Sequence, residues 1–364
     1  MTVKKTKEKS ENKRSLHLIH SPEHAGWIFD ADHPTQGRRY INAYEKLLSL
    51  AKRCDVEIVE VRPRIATEPE LQRVHSQAYL DSVLNEALSS EWDGMRPDMA
   101  HLASLFAGGT LVALDLLVTG AAKTAIHFPG AKHHAQREWS SGFCIFNDFA
   151  IATDIATKDH GLRVAILDID GHHGDGNENL TRDNPMVMTF SIHHYGIFPG
   201  TGESDEAEFG VYNEALQDGD GDEKLMMGVD RFIELAKKFQ ADMIFIACGA
   251  DGHEEDPLTW LAYSVEGIVA VCAKVRESFS TTPILMGGAG GYLPDTRTPE
   301  VWANAALAIA SERRKMREMD ELVEKGVSYP GTAGRPVSKE ISDAWEVTGK
   351  KRDRKARGRT NGSE

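Results

Sequence analysis

Short runs of aliphatic and β-branched residues recur along the chain, separated by longer stretches in which apolar positions repeat every three to four residues. A short apolar run bounded by polar or glycine-rich residues predicts a buried strand, and the longer period predicts an amphipathic helix. Strands are expected near 16–19, 56–61, 124–127, 164–168, 187–192, 243–247 and 284–286. Helices are expected over 37–52, 69–88, 97–118, 146–157, 223–239, 262–279 and 299–325. Alternation of this kind marks a parallel sheet covered by helices on both faces, so the expected fold class is α/β, a three-layer, doubly wound parallel sheet. No internal repeat and no Pro/Gly-rich linker divides the middle of the chain. One domain over 15–343 is expected, between a polar tail at 1–14 and a basic tail at 344–364, both expected to be disordered.

Ligands of an open parallel sheet bind outside the carboxyl ends of its strands, where loops and helix N-termini converge. Five of the expected strands run into clusters of that kind: "PGAKHHAQREWSSGFCIFND", "DIDGHHGDGN", "HHYGIFPGTG", "CGADGHEEDPL" and "GGAGGYLPD". The loops at the opposite edge carry nothing comparable. Taken singly, each cluster has a plain structural reading: His133 and His134 as a satisfied core pair, Asp251 as a helix cap, the glycines before Tyr292 as a tight turn. Their coincidence at one edge of the sheet favours a common site.

Asp170 and His172 lie two apart, so in an extended segment their side chains project to the same side. Asp251 can supply a third ligand. Two carboxylates and one imidazole form a hard, oxygen-rich set that accepts Zn2+ or Fe2+ and leaves positions open for water and substrate. Asp168 and Asp175 can each accept the Nδ1 proton of a histidine, and His133 and His134 are there to be oriented. Such pairs raise imidazole basicity, as a general base that later acts as an acid requires. Tyr292, after a glycine-rich turn, can donate its phenol to a developing oxyanion. These parts add up to metal-assisted hydrolysis of an amide.

The formal charge of −14 on 364 residues argues against general affinity for nucleic acid or an anionic membrane. No stretch is read as long and apolar enough to span a bilayer, and the N-terminus lacks the apolar core of a signal peptide. Cys54, Cys144, Cys248 and Cys272 are widely spaced without a CxxC pair, so free thiols in a reducing compartment are expected. The expected location is cytoplasmic, or nuclear in a eukaryote.

From His33 to Tyr292 the motifs "HHA" with "SGFCIFND", "LDIDGHHGDGN", "FSIHHYGIFPGTGE", "GADGHEEDPL" and "GGAGGY" resemble, in order, those of the histone deacetylase superfamily. These are zinc-dependent acetyl-lysine and acetylpolyamine amidohydrolases that share a fold with arginase, and the bacterial acetoin-utilisation deacetylases look nearest. The resemblance implies an arginase/deacetylase-like fold with a metal on Asp170, His172 and Asp251. It makes His134, partnered by Asp175, the proton-transferring histidine and His133, partnered by Asp168, the electrostatic one. Tyr292 becomes the oxyanion donor, Gly142 offers its carbonyl to the substrate amide, and Phe143 and Phe198 wall the channel for the lysine stem. A structural K+ near Asp168 and the backbone of Ser191 and Ile192 is also implied. The implied substrate is an acetylated lysine in a protein or a small acetylated amine, with no membrane and no specific nucleic acid as partner.

Two departures stand out. Gly171 occupies a position where relatives carry a bulkier residue, and its lack of a side chain is expected to loosen the ligand-bearing segment or open space behind the metal. Ala289 interrupts the glycine turn. Two other readings compete: an acetyl-lysine-binding protein without turnover, and an arginase-like ureohydrolase, whose chemistry wants a two-metal cluster.

Overall fold

The computed structural model describes residues 15–310 apart from Asp55. Both expected tails, the domain limit at 343 and the distal part of the helix expected over 299–325 lie outside the described residues. Eight strands form one sheet: β1 (Ser15–Ile19), β2 (Glu57–Val61), β3 (Thr124–His127), β4 (Val164–Asp168), β5 (Val187–His194), β6 (Val211–Leu216), β7 (Met243–Ala247) and β8 (Ile284–Gly287). Every pairing is parallel, in the order β2-β1-β3-β8-β7-β4-β5-β6. The last strand among the described residues therefore lies inside the sheet, with Ile284 opposite Thr124 on one side and Ile244 on the other.

Strands β3, β4, β5, β7 and β8 are buried along their whole length, which is why they read as unbroken apolar runs. The sequence pattern misses β6, an edge strand with Asn213 and Glu214 at its centre and only Val211, Asn213 and Leu216 fully covered. Half-solvated strands of this kind lose the contrast that marks a central one.

The helices are α1 (Arg38–Arg53), α2 (Glu68–Leu71), α3 (Gln77–Leu80), α4 (Pro97–Val118), α5 (Asp148–Lys158), α6 (Asp175–Thr181), α7 (Asp222–Phe239), α8 (Val265–Ser278) and α9 (Arg297–Ala310), lying on both faces of the sheet. The single helix expected over 69–88 is instead two short helices and a π-turn at Asp81–Asn85. The break falls at His75, whose ring is fully buried between the Gln136 carbonyl, 2.9 Å from Nδ1, and the Asn147 amide, which donates to Nε2 at 3.0 Å.

Helix α4 corrects a second expectation, because its 22 residues are long and apolar enough to cross a membrane. Its most apolar window is 72% buried inside the fold, against β1, β3, β8 and α5, so a core position accounts for its composition. Cys144, Cys248 and Cys272 are buried free thiols.

Candidate active site

Strand β4 stops at Asp168, and the chain then bends instead of continuing extended. The Asp170 amide donates to Asp168 Oδ1 at 3.1 Å, and the His172 amide donates to Asp170 Oδ1 at 2.9 Å. Asp170 and His172 thus face the same way because of a side-chain-braced bend, and not because of strand pleating as the sequence argument supposed. Asp251, three residues past the last buried thiol after β7, completes the set: His172 Nδ1 lies 2.8 Å from Asp251 Oδ2 and 3.2 Å from Asp170 Oδ1. All three are buried, and one ligand atom from each lies within 4.8 Å of the others.

Backbone amides hold these carboxylates in place. Gly290 donates to Asp170 Oδ2 at 2.6 Å, and Gly171 donates to Asp251 Oδ1 at 2.8 Å. A side chain at Gly290 would begin 2.3 Å from Asp251 Oδ2, so only glycine lets the loop after β8 come this close. Burial and the neighbouring Asp170 push Asp251 up to about 6, whereas Asp170 is drawn below the usual carboxylate range by His133 and His172 despite its burial. Burial opposes the charge on His172, but its hydrogen bonds to both carboxylates raise it to about 10. The cluster therefore calls for positive charge at its centre, and its donor types fit a hard or borderline divalent ion.

His133 and His134 lie beside this cluster, their rings 3.9 Å apart. His133 Nδ1 is 2.6 Å from Asp168 Oδ2, and His134 Nδ1 is 2.7 Å from Asp175 Oδ1. A second group of metal-ligand type, His133, His134 and Asp170, also converges. The Nδ1 atoms of both histidines are already taken there, whereas His172 Nδ1 points between two carboxylates. The two imidazoles are driven apart electrostatically. Burial disfavours charge on His133, but Asp168 and Asp170 outweigh it and raise its pKa to about 9. Burial, and then the charge of His133, lower His134 to about 4, leaving it neutral and able to accept a proton at Nε2.

The half-buried residues Gly142, Phe143, Phe198 and Tyr292 border the same site. The Phe198 ring meets His134 edge-on at 5.0 Å, and Phe143 meets Tyr292 at 6.1 Å. Phe143 has φ 62°, a costly conformation for a bulky residue, and its amide donates to Glu91 Oε2 at 2.9 Å. A side chain at Gly142 would begin 2.4 Å from His134 Cδ2, so this glycine leaves room for the imidazole. Burial first, and then Asp251 and Asp170, hold the Tyr292 phenol well above its ordinary pKa, which keeps it protonated as a donor. On the other side of Asp168, the β4–β5 register sets Ser191 opposite it with Ile192 next along, and Ser191 Oγ lies 3.0 Å from His193 Nδ1.

The expectation that Gly171 opens space is not met. A side chain there would begin 2.4 Å from Thr259 Cγ2. Thr259 is buried, and its hydroxyl donates to the Asp251 carbonyl at 2.6 Å. The missing side chain is replaced by a methyl group from another loop, so the segment is clamped and not loosened.

Several neighbours escape a reading based on motifs. Gln136 Nε2 donates to Asp175 Oδ2 at 2.9 Å, and the buried Asp256 accepts the Tyr292 amide at 2.8 Å. Arg39 donates to the Gly291 carbonyl at 2.8 Å and lies 5.8 Å from the Tyr292 ring centre. Gln136 and Asp256 stand inside the polar clusters and could have been singled out there; Arg39 ends the stretch "HPTQGRR" with which the family resemblance begins, whereas Glu91 comes from a distant segment with no local signal.

Fold and site together define an α/β protein with a buried carboxylate–imidazole centre at the carboxyl edge of an eight-stranded parallel sheet. The chain belongs to the histone deacetylase family: the family's histone deacetylase domain matches residues 33–309. It is 33% identical over 314 residues to the acetoin utilization protein AcuC of Bacillus subtilis (strain 168), covering 80% of this chain and 81% of that protein. It is 29% identical to AcuC of Staphylococcus aureus (strain MRSA252), over 81% of each chain. It is 28% identical to histone deacetylase 8 of Xenopus laevis, over 74% of this chain and 89% of that one.

Proposed function

We propose that the protein is a metal-dependent amidohydrolase that removes acetyl groups from N-acetyl-lysine in proteins or from small acetylated amines. The observation that carries this reading is the pair of adjacent imidazoles, His133 braced by Asp168 and His134 by Asp175, beside a three-ligand cluster. Asp170, His172 and Asp251 would hold Zn2+ or Fe2+, which when bound polarises the amide carbonyl and acidifies a water molecule. His134 Nε2 would take a proton from the attacking water, with Asp175 fixing its tautomer through Nδ1 and Gln136 fixing Asp175. His134 then returns the proton to the departing amine. His133, held cationic by Asp168, stabilises negative charge as it develops, and the Tyr292 hydroxyl donates to the oxyanion. Phe143 and Phe198 enclose the alkyl stem, whose charge acetylation has masked, while the Gly142 carbonyl accepts from the substrate amide. A monovalent cation, K+ by the family resemblance, would sit at Asp168, Ser191 and Ile192.

Purified protein supplied with Zn2+ or Fe2+ is expected to release acetate from an acetyl-lysine peptide, and to lose that activity on chelation and in His134→Ala. Undiminished turnover by the metal-free protein would overturn the proposal.

A further inference from the structure

His194 closes β5 at the carboxyl edge of the sheet and is 2% exposed. Its amide donates to the Gly171 carbonyl at 2.9 Å, beside the bend that carries Asp170 and His172. Two side chains from other loops converge on its ring: the Trp260 indole meets it edge-on at 5.5 Å, and Asp218 Oδ1 lies 2.7 Å from Nε2. The Trp260 carbonyl also accepts the Gly219 amide at 2.7 Å, so indole and carboxylate share one frame, held by backbone as well as by the imidazole. The turn bearing Asp218 is closed in addition by the Gln217 amide, which donates to Asp220 Oδ2 at 2.8 Å. Yet the groups fixed in this way face solvent, Trp260 being 54% exposed and the Asp218 side chain 79%.

This shelf adjoins the active site from two directions. Tyr195, half-exposed, follows His194 and opens the loop that carries Phe198 to its contact with the His134 ring. Trp260 ends the segment that starts at Asp256, whose carboxylate accepts the amides of Leu258 and Tyr292, and that passes through Thr259, whose hydroxyl holds Asp251. A polypeptide whose lysine stem lies against Phe198 has the residues next to that lysine within reach of Tyr195 and Trp260.

Charge decides what the shelf takes. From His193 to Glu223, and again from Gly249 to Ala273, the chain contains no lysine or arginine. Arginines from elsewhere pair with Asp205, Glu206, Glu214 and Glu255. Among the described residues Asp218 and Glu203 have no lysine or arginine partner; Asp218 meets His194, and Glu203 meets the Tyr195 hydroxyl at 3.5 Å. An exposed indole beside such a carboxylate attracts a cation, and a guanidinium can stack on the one while it hydrogen-bonds to the other. Because both groups are already held in place, little side-chain freedom is lost when the cation arrives.

We propose that Trp260 and Asp218 form a specificity subsite for an arginine or lysine that flanks the acyl-lysine in a polypeptide substrate. This rests on the amidohydrolase reading and, of the protein and the small amine, selects the protein. The recognised charge belongs to a neighbouring residue, since acylation removes it from the lysine itself and the shelf lies on the surface beside the site.

The test scans arginine, alanine and glutamate through the two positions on either side of acetyl-lysine in otherwise identical peptides, using the metal-loaded protein. At one position or more, arginine should raise kcat/KM on the order of tenfold over alanine, mostly through KM, and glutamate should lower it. Trp260→Leu and Asp218→Asn should each erase most of that preference, and Asp218→Lys should turn it toward glutamate. Turnover of acetyl-lysine amide, which has no flanking residues, should stay unchanged in all three, with melting temperatures checking the fold. No basic preference in the wild type, or one that survives all three substitutions, overturns the proposal. N-acetylspermidine cleaved with the same dependence on Trp260 and Asp218 would give the cation to a small amine and overturn the choice of a polypeptide. Fluorescence anisotropy of labelled arginine and alanine peptides on metal-loaded His134→Ala protein reads the subsite without turnover. Tighter binding of the arginine peptide, lost on adding Asp218→Asn, supports the subsite; if the wild type is inactive on every substrate, that result keeps the subsite and sinks the amidohydrolase reading. Equal binding of the two peptides overturns the subsite whatever the activity.

Discussion

The methyl carbon of Thr259 stands 2.4 Å from the point where a side chain on residue 171 would begin, so Gly171 and Thr259 share one volume behind Asp251. Gly171→Ala therefore overfills that volume, at a cost of about 1–3 kcal/mol if the neighbours yield only in part. Because the Gly171 amide and the Thr259 hydroxyl both hold Asp251, metal affinity should fall with stability. Thr259→Ser keeps the hydroxyl and deletes the methyl, so the double variant should recover most of the loss. Melting temperature and Zn2+ competition titrations on all four combinations measure this, and a double variant no better than Gly171→Ala would refute the shared-volume account.

Tyr292→Phe removes a donor but no ligand. Turnover should drop on the order of 10²–10³, the range for a single oxyanion donor, with metal affinity unchanged. Steady-state kinetics alongside a metal titration separates the two effects.

Asp175→Asn exchanges an acceptor that fixes the His134 tautomer for a side chain that can also donate. Loss of the general base and acid should cost about 10²–10⁴ in turnover, with little change in KM. An unaltered kcat would show that His134 does not depend on Asp175.

Burial holds His75 down at about 4, and the Asn147 amide donating to its Nε2 fits only the neutral ring. Since the folded value lies below that of the unfolded chain, the unfolded state binds the extra proton between about pH 4 and 6.5. Stability is complete above that window and falls as pH drops through it, by at most about 1.4 kcal/mol per pH unit for this residue. Urea midpoints at pH 7, 6 and 5 should show the slope, and His75→Gln, which cannot take up the proton, should flatten it even if stability at pH 7 is lower.

Metal should stabilise the fold as well as activate it. At a free concentration about 100 times its dissociation constant, Zn2+ contributes about 2.7 kcal/mol. The gain should shrink toward acid pH, because His172 and Asp251 must release protons to the solvent before they can ligate. Thermal melts with and without chelator at two pH values test both statements.

The central strands were legible because they are buried on both faces, and so were the polar clusters at their ends, because few other arrangements put His133, Asp170, Asp251 and Tyr292 at strand ends together. What stayed hidden depends on contacts between segments far apart. No local pattern reveals that Thr259 fills the space over Gly171, that Glu91 holds the strained Phe143 backbone, or that Arg39 reaches Gly291 from α1. The helix break at His75 is of the same kind, since the ring's partners lie in the segment of Gln136 and Asn147. Strand β6 was missed for a different reason, its polar and only half-buried positions erasing the apolar run.

The place of β8 bears on how the protein is made. During synthesis β1, β2 and β3 emerge early and β4 to β7 much later, yet β3 and β7 have no partner between them until Ile284–Gly287 has left the ribosome. Until then each half of the sheet presents an open, apolar edge. A nascent chain stalled short of residue 287 already carries Asp170, His172, Asp251 and both histidines, but lacks the wedge that brings His133 and Asp251 to one place, so these groups meet only once β8 has emerged.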